Sequence, residues 1–284
     1  MVGLLFIVYL LNYFIDSTKL VNTKFQFDIN QNIYTKRITK DSVFESTNTN
    51  EYLIKDYNIQ KDKKIISVSP GGYKGFYMMG IVSFIKKNYN LGNFVFYGAS
   101  AGAWNSLFLS YNKDPNLFIN ELMNIDYQNS KCLNDIQFLL KYKILDHFSD
   151  EDFNLSKLFI GVSTLDQMEI KTNIYNDFDN LEDAIDCCVA SSNIPFITGK
   201  LNNKYHNKYS FDGGFGKYPY INFSEPILHI SPNMWSTYLY DKNYNLFDFS
   251  DLIMRKNKNI LKLFEDGYND AKKYKHILEN KLIL

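Results

Sequence analysis

Net charge is what this chain lacks first: 31 basic residues balance 31 acidic ones over 284 positions. No global field is left to draw in nucleic acid or an anionic membrane surface, so nucleic acid is not an expected partner and only a local patch stays open. Cysteine is scarce. Cys132, Cys187 and Cys188 are odd in number, two are sequence neighbours, and no C-x-x-C or Cys/His spacing suggests a metal. They read as small buried residues in a reducing compartment. Arginine occurs only at Arg37 and Arg255 and alanine is rare beside Lys, Asn, Ile, Tyr and Phe, a bias that speaks of an AT-rich coding sequence and not of the fold.

Long hydrophobic runs are missing as well. The opening run, Val2 to Ile15, has 14 residues, where a bilayer span takes about 20. No Lys or Arg precedes it and no A-x-A-like cleavage site follows. It reads either as a membrane-associating or signal-like segment or as a core element of the domain. Residues 17 to 60 are polar and rich in Asn, Thr and Lys, with short alternating pieces such as Phe25-x-Phe27-x-Ile29 that suggest edge strands. Neither a repeat nor a linker follows. The expected organisation is an N-terminal extension over 1–60, apolar then polar, and one domain over 61–284.

What is present is a globular composition, 45% hydrophobic and 22% charged, able to bury a core. Within it, Phe94-Val95-Phe96-Tyr97 leads into Gly98-Ala99-Ser100-Ala101-Gly102, and a helical run continues to Tyr111. Strand, Gly-x-Ser-x-Gly, helix is the form of a nucleophile elbow, a turn so sharp that small residues must flank the serine. Ser100 then stands at the tip, with the positive end of the following helix dipole aimed at the reacting carbonyl. Upstream, the strand Ile65–Ser69 is broken by Pro70-Gly71-Gly72-Tyr73-Lys74-Gly75 and followed by a helix, Phe76 to Tyr89, apolar nearly all round. This βαβα alternation predicts a parallel sheet with helices on its faces and a site at the carboxyl ends of the strands.

Further along, 115–148 predicts two helices, with Ile136, Leu139, Leu140 and Ile144 at apolar spacing. Leu158–Val162 is a buried-type strand with 168–175 as its hairpin partner, and Leu181–Ala190 a helix capped by Asn180. The helix ends before Pro195. Tyr205–Phe211 reads as one strand running into Asp212-Gly213-Gly214, Ile227–Ile230 as another, and Lys256–Leu284 as an amphipathic helix with Ile260, Phe264, Ala271 and Leu278 on one side.

Acyl transfer needs a nucleophile, a base and donors for the oxyanion. Gly71 and Gly72 suit the donors, because a backbone without side chains approaches closely. The same loop lacks the Lys-Ser/Thr ending of a P-loop, and Pro70 spoils a dinucleotide fingerprint. Asp212, between a strand and two glycines, is either a carboxylate held at a sharp turn for chemistry or a plain Asp-Gly turn. Phe76, Tyr77, Met78 and Trp104 are either walls of an acyl-chain pocket or core.

Taken together, PGGYKG (70–75), GASAG (98–102), ASSNIPF (190–196) and DGG (212–214) resemble the patatin-like phospholipases, with GYNDA (267–271) a fainter likeness. The resemblance covers Ile65 to Tyr274. It implies a three-layer α/β patatin-like fold, a mostly parallel central sheet with helices on both faces and a nucleophile elbow. It further implies a serine acyl hydrolase acting on phospholipid or other lipid esters, with Ser100 as nucleophile, Asp212 as base, and Gly71, Gly72 and Ala101 as oxyanion donors. Gly75, Gly98, Gly102, Gly213 and Gly214 complete the motifs. The mechanism needs neither a metal nor an organic cofactor, and a peripheral attachment to membranes, intracellular and through residues 2–15, suits such a substrate.

Where the family commonly has three glycines in a row, the first is here Pro70, which has no N–H to donate. Lys74 stands where the family carries a basic residue, either steadying the loop, meeting a phosphate headgroup or simply solvated. Two rival readings stay open. One is a Ser-Asp-His esterase with His229, in the chain order of α/β-hydrolases. The other is a catalytically weak or inactive protein that keeps the fold to bind lipid or a partner.

Overall fold

The computed structural model describes residues 63–127, 130, 132–166, 169–195, 197–199, 203–215, 228–235 and 259–283. The apolar opening run and the edge strands expected before residue 60 lie outside these residues.

β1 (Lys64–Val68), α1 (Gly75–Asn88), β2 (Phe94–Ala99) and α2 (Ala101–Ser110) follow in the expected alternation. After them come α3 (Pro115–Met123), α4 (Leu133–His147), the hairpin β3 (Leu158–Asp166) and β4 (Glu169–Tyr175), and α5 (Leu181–Ser191). The remainder is β5 (Lys204–Tyr205), β6 (Lys208–Phe211), β7 (Leu228–Ile230), α6 (Ile260–Lys273) and α7 (Lys275–Leu282).

The seven strands form one sheet in the order β5-β6-β3-β2-β1-β7, with β4 also paired to β3. Its centre, β3, β2, β1 and β7, is parallel, and β4, β6 and β5 add antiparallel pairs at one side. β2 is buried along its whole length, as a parallel strand covered on both faces should be. That explains why its sequence, FVFYGA, shows no alternation.

α1 is buried from Phe76 to Ile85 apart from the half-buried Tyr77, because it lies against both α2 and α6. α6 comes close enough that a Cβ on Gly80 would sit 2.1 Å from the Phe264 carbonyl oxygen, and one on Gly267 1.9 Å from that of Tyr77. Tyr77 Oη donates to Asp270 across the same crossing at 2.6 Å. The GYNDA phrase therefore marks where two helix backbones touch. A second cluster joins α2 to α3 and the turn before β3: Phe108, Tyr111, Phe118, Phe148 and Phe153 pack ring to ring, the closest pair stacked at 4.7 Å. Lys86, at the end of α1, reaches the last carbonyls of α2, donating to Leu109 O at 2.8 Å and Tyr111 O at 2.6 Å. Burial, with Lys157 nearby, pulls its ammonium down to about 8.

Three expectations are corrected. Tyr205–Phe211 is not one strand but the tight hairpin β5–β6, turning on His206 (φ 47°) and Asn207 (φ 63°); a two-residue turn with both φ positive has the twist that suits a hairpin. Leu139 is 36% exposed while Ile136, Leu140 and Ile144 are buried, since a helix presents only one face to the core. The C-terminal helix breaks at Tyr274 into α6 and α7, where the Tyr274 ring stacks on Trp235 at 4.9 Å.

Candidate active site

Two strands run toward each other along a single edge of β3. β2 lies parallel to Leu158–Gly161, with Ala99 opposite Gly161. β6 lies antiparallel to Ser163 and Thr164, with Phe211 opposite Ser163. β4 takes the other edge, from Ile160 to Asp166. The chain leaving β2 at Ser100 and the chain leaving β6 at Asp212 therefore arrive at one point. DGG is seated tightly there: a Cβ on Gly213 would fall 2.3 Å from Gly161 O and 2.6 Å from Ala99 Cβ.

Ser100 has φ 56° and ψ −128°, a region that costs a non-glycine residue roughly 1–3 kcal/mol. The glycines on either side make the turn possible. A Cβ on Gly98 would lie 2.2 Å from Gly102 O, and one on Gly102 2.1 Å from Val68 O. The Gly-x-Ser-x-Gly spacing is thus set by backbone meeting backbone at both glycines. Being first in α2, Ala101 has an N–H without an intrahelical acceptor.

The loop after β1 is held against this elbow. Gly75 faces Ala101 so closely that a Cβ on it would be 2.8 Å from Ala101 Cβ. Asn105 Nδ2 donates to Gly75 O at 3.1 Å and to Ala101 O at 2.9 Å, tying loop to helix. Gly72 has φ 50°, a value that favours glycine. Among the described residues the N–H groups of Gly71 and Gly72 donate to no protein acceptor. Pro70 precedes them without an N–H, as its residue type requires, and Lys74 is half-buried.

Ser100 is 7% exposed and Asp212 5%. The Ser100 hydroxyl faces the Asp212 carboxylate closely enough to act on it as a donor that lowers it, and Gly214 N–H donates to Asp212 Oδ1 at 2.7 Å. Burial raises the Asp212 carboxyl from the ordinary 3.8 to about 6, against those two donors, which lower it. A carboxylate in that position accepts a proton more readily than a solvated one, which is what a general base near neutrality needs.

None of the four histidines contacts this pair. His147 is on α4 and His276 on α7. His206 is 60% exposed at the hairpin turn. His229, on β7, shares a 2.8 Å hydrogen bond between Nδ1 and Ser67 Oγ on β1, and burial lowers its imidazole to about 4. It is a neutral strand residue. Phe76, Met78 and Trp104 are buried in the core, with Tyr77 packed against it, so the core reading of these four holds over the pocket-wall one. Cys187 and Cys188 are buried, and Cys132 is half-buried at the N-terminus of α4.

One pair of residues was missed as a contributor. Ser191 and Asn193 lie in the ASSNIPF stretch, which in sequence marks a helix end before Pro195 and part of the family resemblance but assigns neither residue a role. In space, Ser100 N–H donates to Ser191 Oγ at 2.8 Å, and Asp212 N–H donates to Asn193 O at 2.7 Å. The N–H of Ser100 is therefore spent, and oxyanion donors must come from elsewhere. Among the described residues no group of three His, Cys, Asp or Glu is arranged to hold a metal ion, and no helix is long and apolar enough to cross a membrane.

Comparison with known proteins gives one family match, to patatin-like phospholipases over residues 66–220, more than half of the chain. No curated protein matches. Among solved structures, a chain of the heterodimeric ExoU–SpcU complex from the type III secretion system of Pseudomonas aeruginosa is similar at 15% identity and a TM-score of 0.37, covering 78% of this chain and 52% of that one. The present chain thus spans about half the length of that neighbour.

Proposed function

The chain belongs to the patatin-like phospholipase family, and from that premise we propose that it is a serine lipid acyl hydrolase, cleaving ester bonds of phospholipids or other acyl lipids with Ser100 and Asp212. The observation that carries this reading is the meeting, along one edge of β3, of the Ser100 elbow and a buried Asp212 carboxylate on which the hydroxyl acts as a donor, with no imidazole at either group. Asp212 takes the hydroxyl proton as Oγ attacks the ester carbonyl. The N–H groups of Gly71, Gly72 and Ala101 receive the oxyanion. When the intermediate collapses, the C–O bond to the leaving alcohol breaks and the proton passes from Asp212 to that oxygen. Water then attacks the acyl-serine by the same route in reverse, returning the proton to Ser100. The acyl hydrolase domain is 61–284, and attachment to a membrane surface through residues 2–15, outside the described residues, belongs to the same proposal.

The direct test is labelling with a fluorophosphonate, which phosphonylates an activated serine. Wild type should label stoichiometrically at Ser100 and turn over lipid esters, and Ser100→Ala should do neither. Equal labelling of both proteins, or of neither, would sink the enzyme reading and leave a lipid- or partner-binding protein of the same fold.

Pro70 sets a second expectation. One oxyanion donor is worth about 2.7 to 4 kcal/mol in the transition state, and Pro70 cannot supply one. Pro70→Gly should raise kcat with little change in KM, the gain reduced by the looser glycine backbone. A kcat that stays level or falls in a folded variant shows that Gly71, Gly72 and Ala101 already suffice.

A further inference from the structure

The nucleophile and the base sit at the ends of two strands that are not bonded to each other, so something must hold one against the other. α5 ends between them. Ser191, its last residue, is fully buried. Its hydroxyl has one proton, and that proton goes to Gly161 O on β3 at 2.7 Å. Toward Ser100 it can then only accept, which it does from the Ser100 N–H. The strained elbow is thereby tied, through one oxygen, to the strand that also carries β6.

Two residues on, Asn193 does the same for the base. Its carbonyl accepts from the Asp212 N–H, and its Nδ2 donates to Ser210 O at 2.8 Å. It too is buried, at 1% exposure. Gly199 leaves room for it, since a Cβ there would fall 1.9 Å from Asn193 Oδ1. The turn itself is fixed from outside: Thr198 Oγ1 donates to Ser192 O and accepts from Ile194 N–H, and Ser192 Oγ accepts from Trp104 Nε1 of α2 at 3.1 Å.

We propose that Ser191 and Asn193 are positioning residues of the reaction: a single turn grips the backbone of Ser100 with one residue and that of Asp212 with the other, and so sets the distance between hydroxyl and carboxylate. This rests on the hydrolase reading above. Neither side chain touches the reacting atoms, so each acts through the residue it holds. An error of about 1 Å in such a pair can cost about a hundredfold in rate.

The test compares wild type, Ser191→Ala, Ser191→Cys and Asn193→Ala well below their melting temperatures. The measurements are kcat, KM and the second-order rate of fluorophosphonate labelling. Ser191→Ala should lower kcat and the labelling rate by about tenfold to a hundredfold, with KM within about twofold. Ser191→Cys, which keeps a weak acceptor, should recover part of the loss. In Asn193→Ala the main-chain bond to Asp212 remains but the Nδ2 bond to Ser210 O is lost, so the turn loosens, the carboxylate drifts from the Ser100 hydroxyl that lowers it, and the acid limb of kcat/KM should move to higher pH. Among the described residues no charged group acts on Asp212 to produce that movement instead. A purely structural role would lower the melting temperature and leave the limb and the labelling rate of the folded protein unchanged, and that result overturns the proposal. So does failure of both Ser191→Ala and Asn193→Ala to fold. If wild type itself does not label at Ser100, the hydrolase reading has failed; if wild type labels and the variants match it, only the positioning role has.

Discussion

Asp212→Asn should lower kcat for ester hydrolysis by about 10³-fold or more while making the protein more stable at neutral pH. The first effect follows from removing the group proposed to take the Ser100 proton, since a positioned base contributes up to about 10⁴. The second follows from burial. Raising a carboxyl from 3.8 to about 6 means that the folded state binds its proton more tightly than the unfolded state does. The stability this group contributes is complete below about pH 4, falls as pH rises toward 6, and is gone above it. Ionised Asp212 therefore costs the fold on the order of 3 kcal/mol at pH 7.5. Asparagine does not ionise, and its Oδ1 can still accept from Gly214 N–H. The variant should gain about 1–3 kcal/mol, a few degrees in Tm, at pH 7.5 and nothing at pH 4. A variant less stable by the same margin at both pH values would show that the carboxylate is not held under strain.

The same carboxyl should give wild type an acid limb near pH 6 in kcat/KM. His229 is not its source, being neutral above about pH 4. His206→Ala and His229→Ala should each keep kcat within about tenfold, no more than about 1.4 kcal/mol of barrier. A thousandfold loss in folded His229→Ala would instead establish the triad.

Gly102→Ala is the second large effect. The added methyl would stand 2.1 Å from the carbonyl oxygen of Val68 and 2.7 Å from that of Ser69. Both are backbone atoms at the end of β1, and neither can swing aside. Overpacking ordinarily costs about 1–3 kcal/mol and sometimes more. Here relief requires moving α2 away from β1, which carries Ser100 off the Gly71–Gly72 loop. We expect a loss of about 3 kcal/mol or more, read by thermal unfolding, together with a fall in labelling rate. Gly92→Ala is the control: its methyl would meet only the Asn90 side chain, at 3.2 Å, and should change stability by less than about 0.5 kcal/mol. Equal behaviour of the two variants would show that the close approach at Gly102 is not a constraint.

Ser100 was legible in the sequence because an elbow is a local object. Its φ of 56° and the crowding at Gly98 and Gly102 leave a fixed trace of small residues within five positions. The strands and helices around it were legible for the same reason, their burial being written into runs such as FVFYGA and FYMMGIVSFI. Asp212 needed the family resemblance, since an Asp-Gly pair alone is an ordinary turn. The tertiary structure decided what depends on contacts across the chain. It divided Tyr205–Phe211 into a hairpin, because the positive φ at His206 and Asn207 sits on residues with no glycine to announce it. It put Leu139 outside, because which face of α4 meets the core is set by its neighbours. It brought Ser191 against Ser100 and Asn193 against Asp212, because a hydrogen bond spanning 91 residues, from Ser100 N–H to Ser191 Oγ, leaves no periodicity to read. The carboxylate that acquires a base's affinity for protons does so through the same long-range packing: sequence supplies Asp212, and only burial between β2, β3 and the end of α5 makes its charge costly.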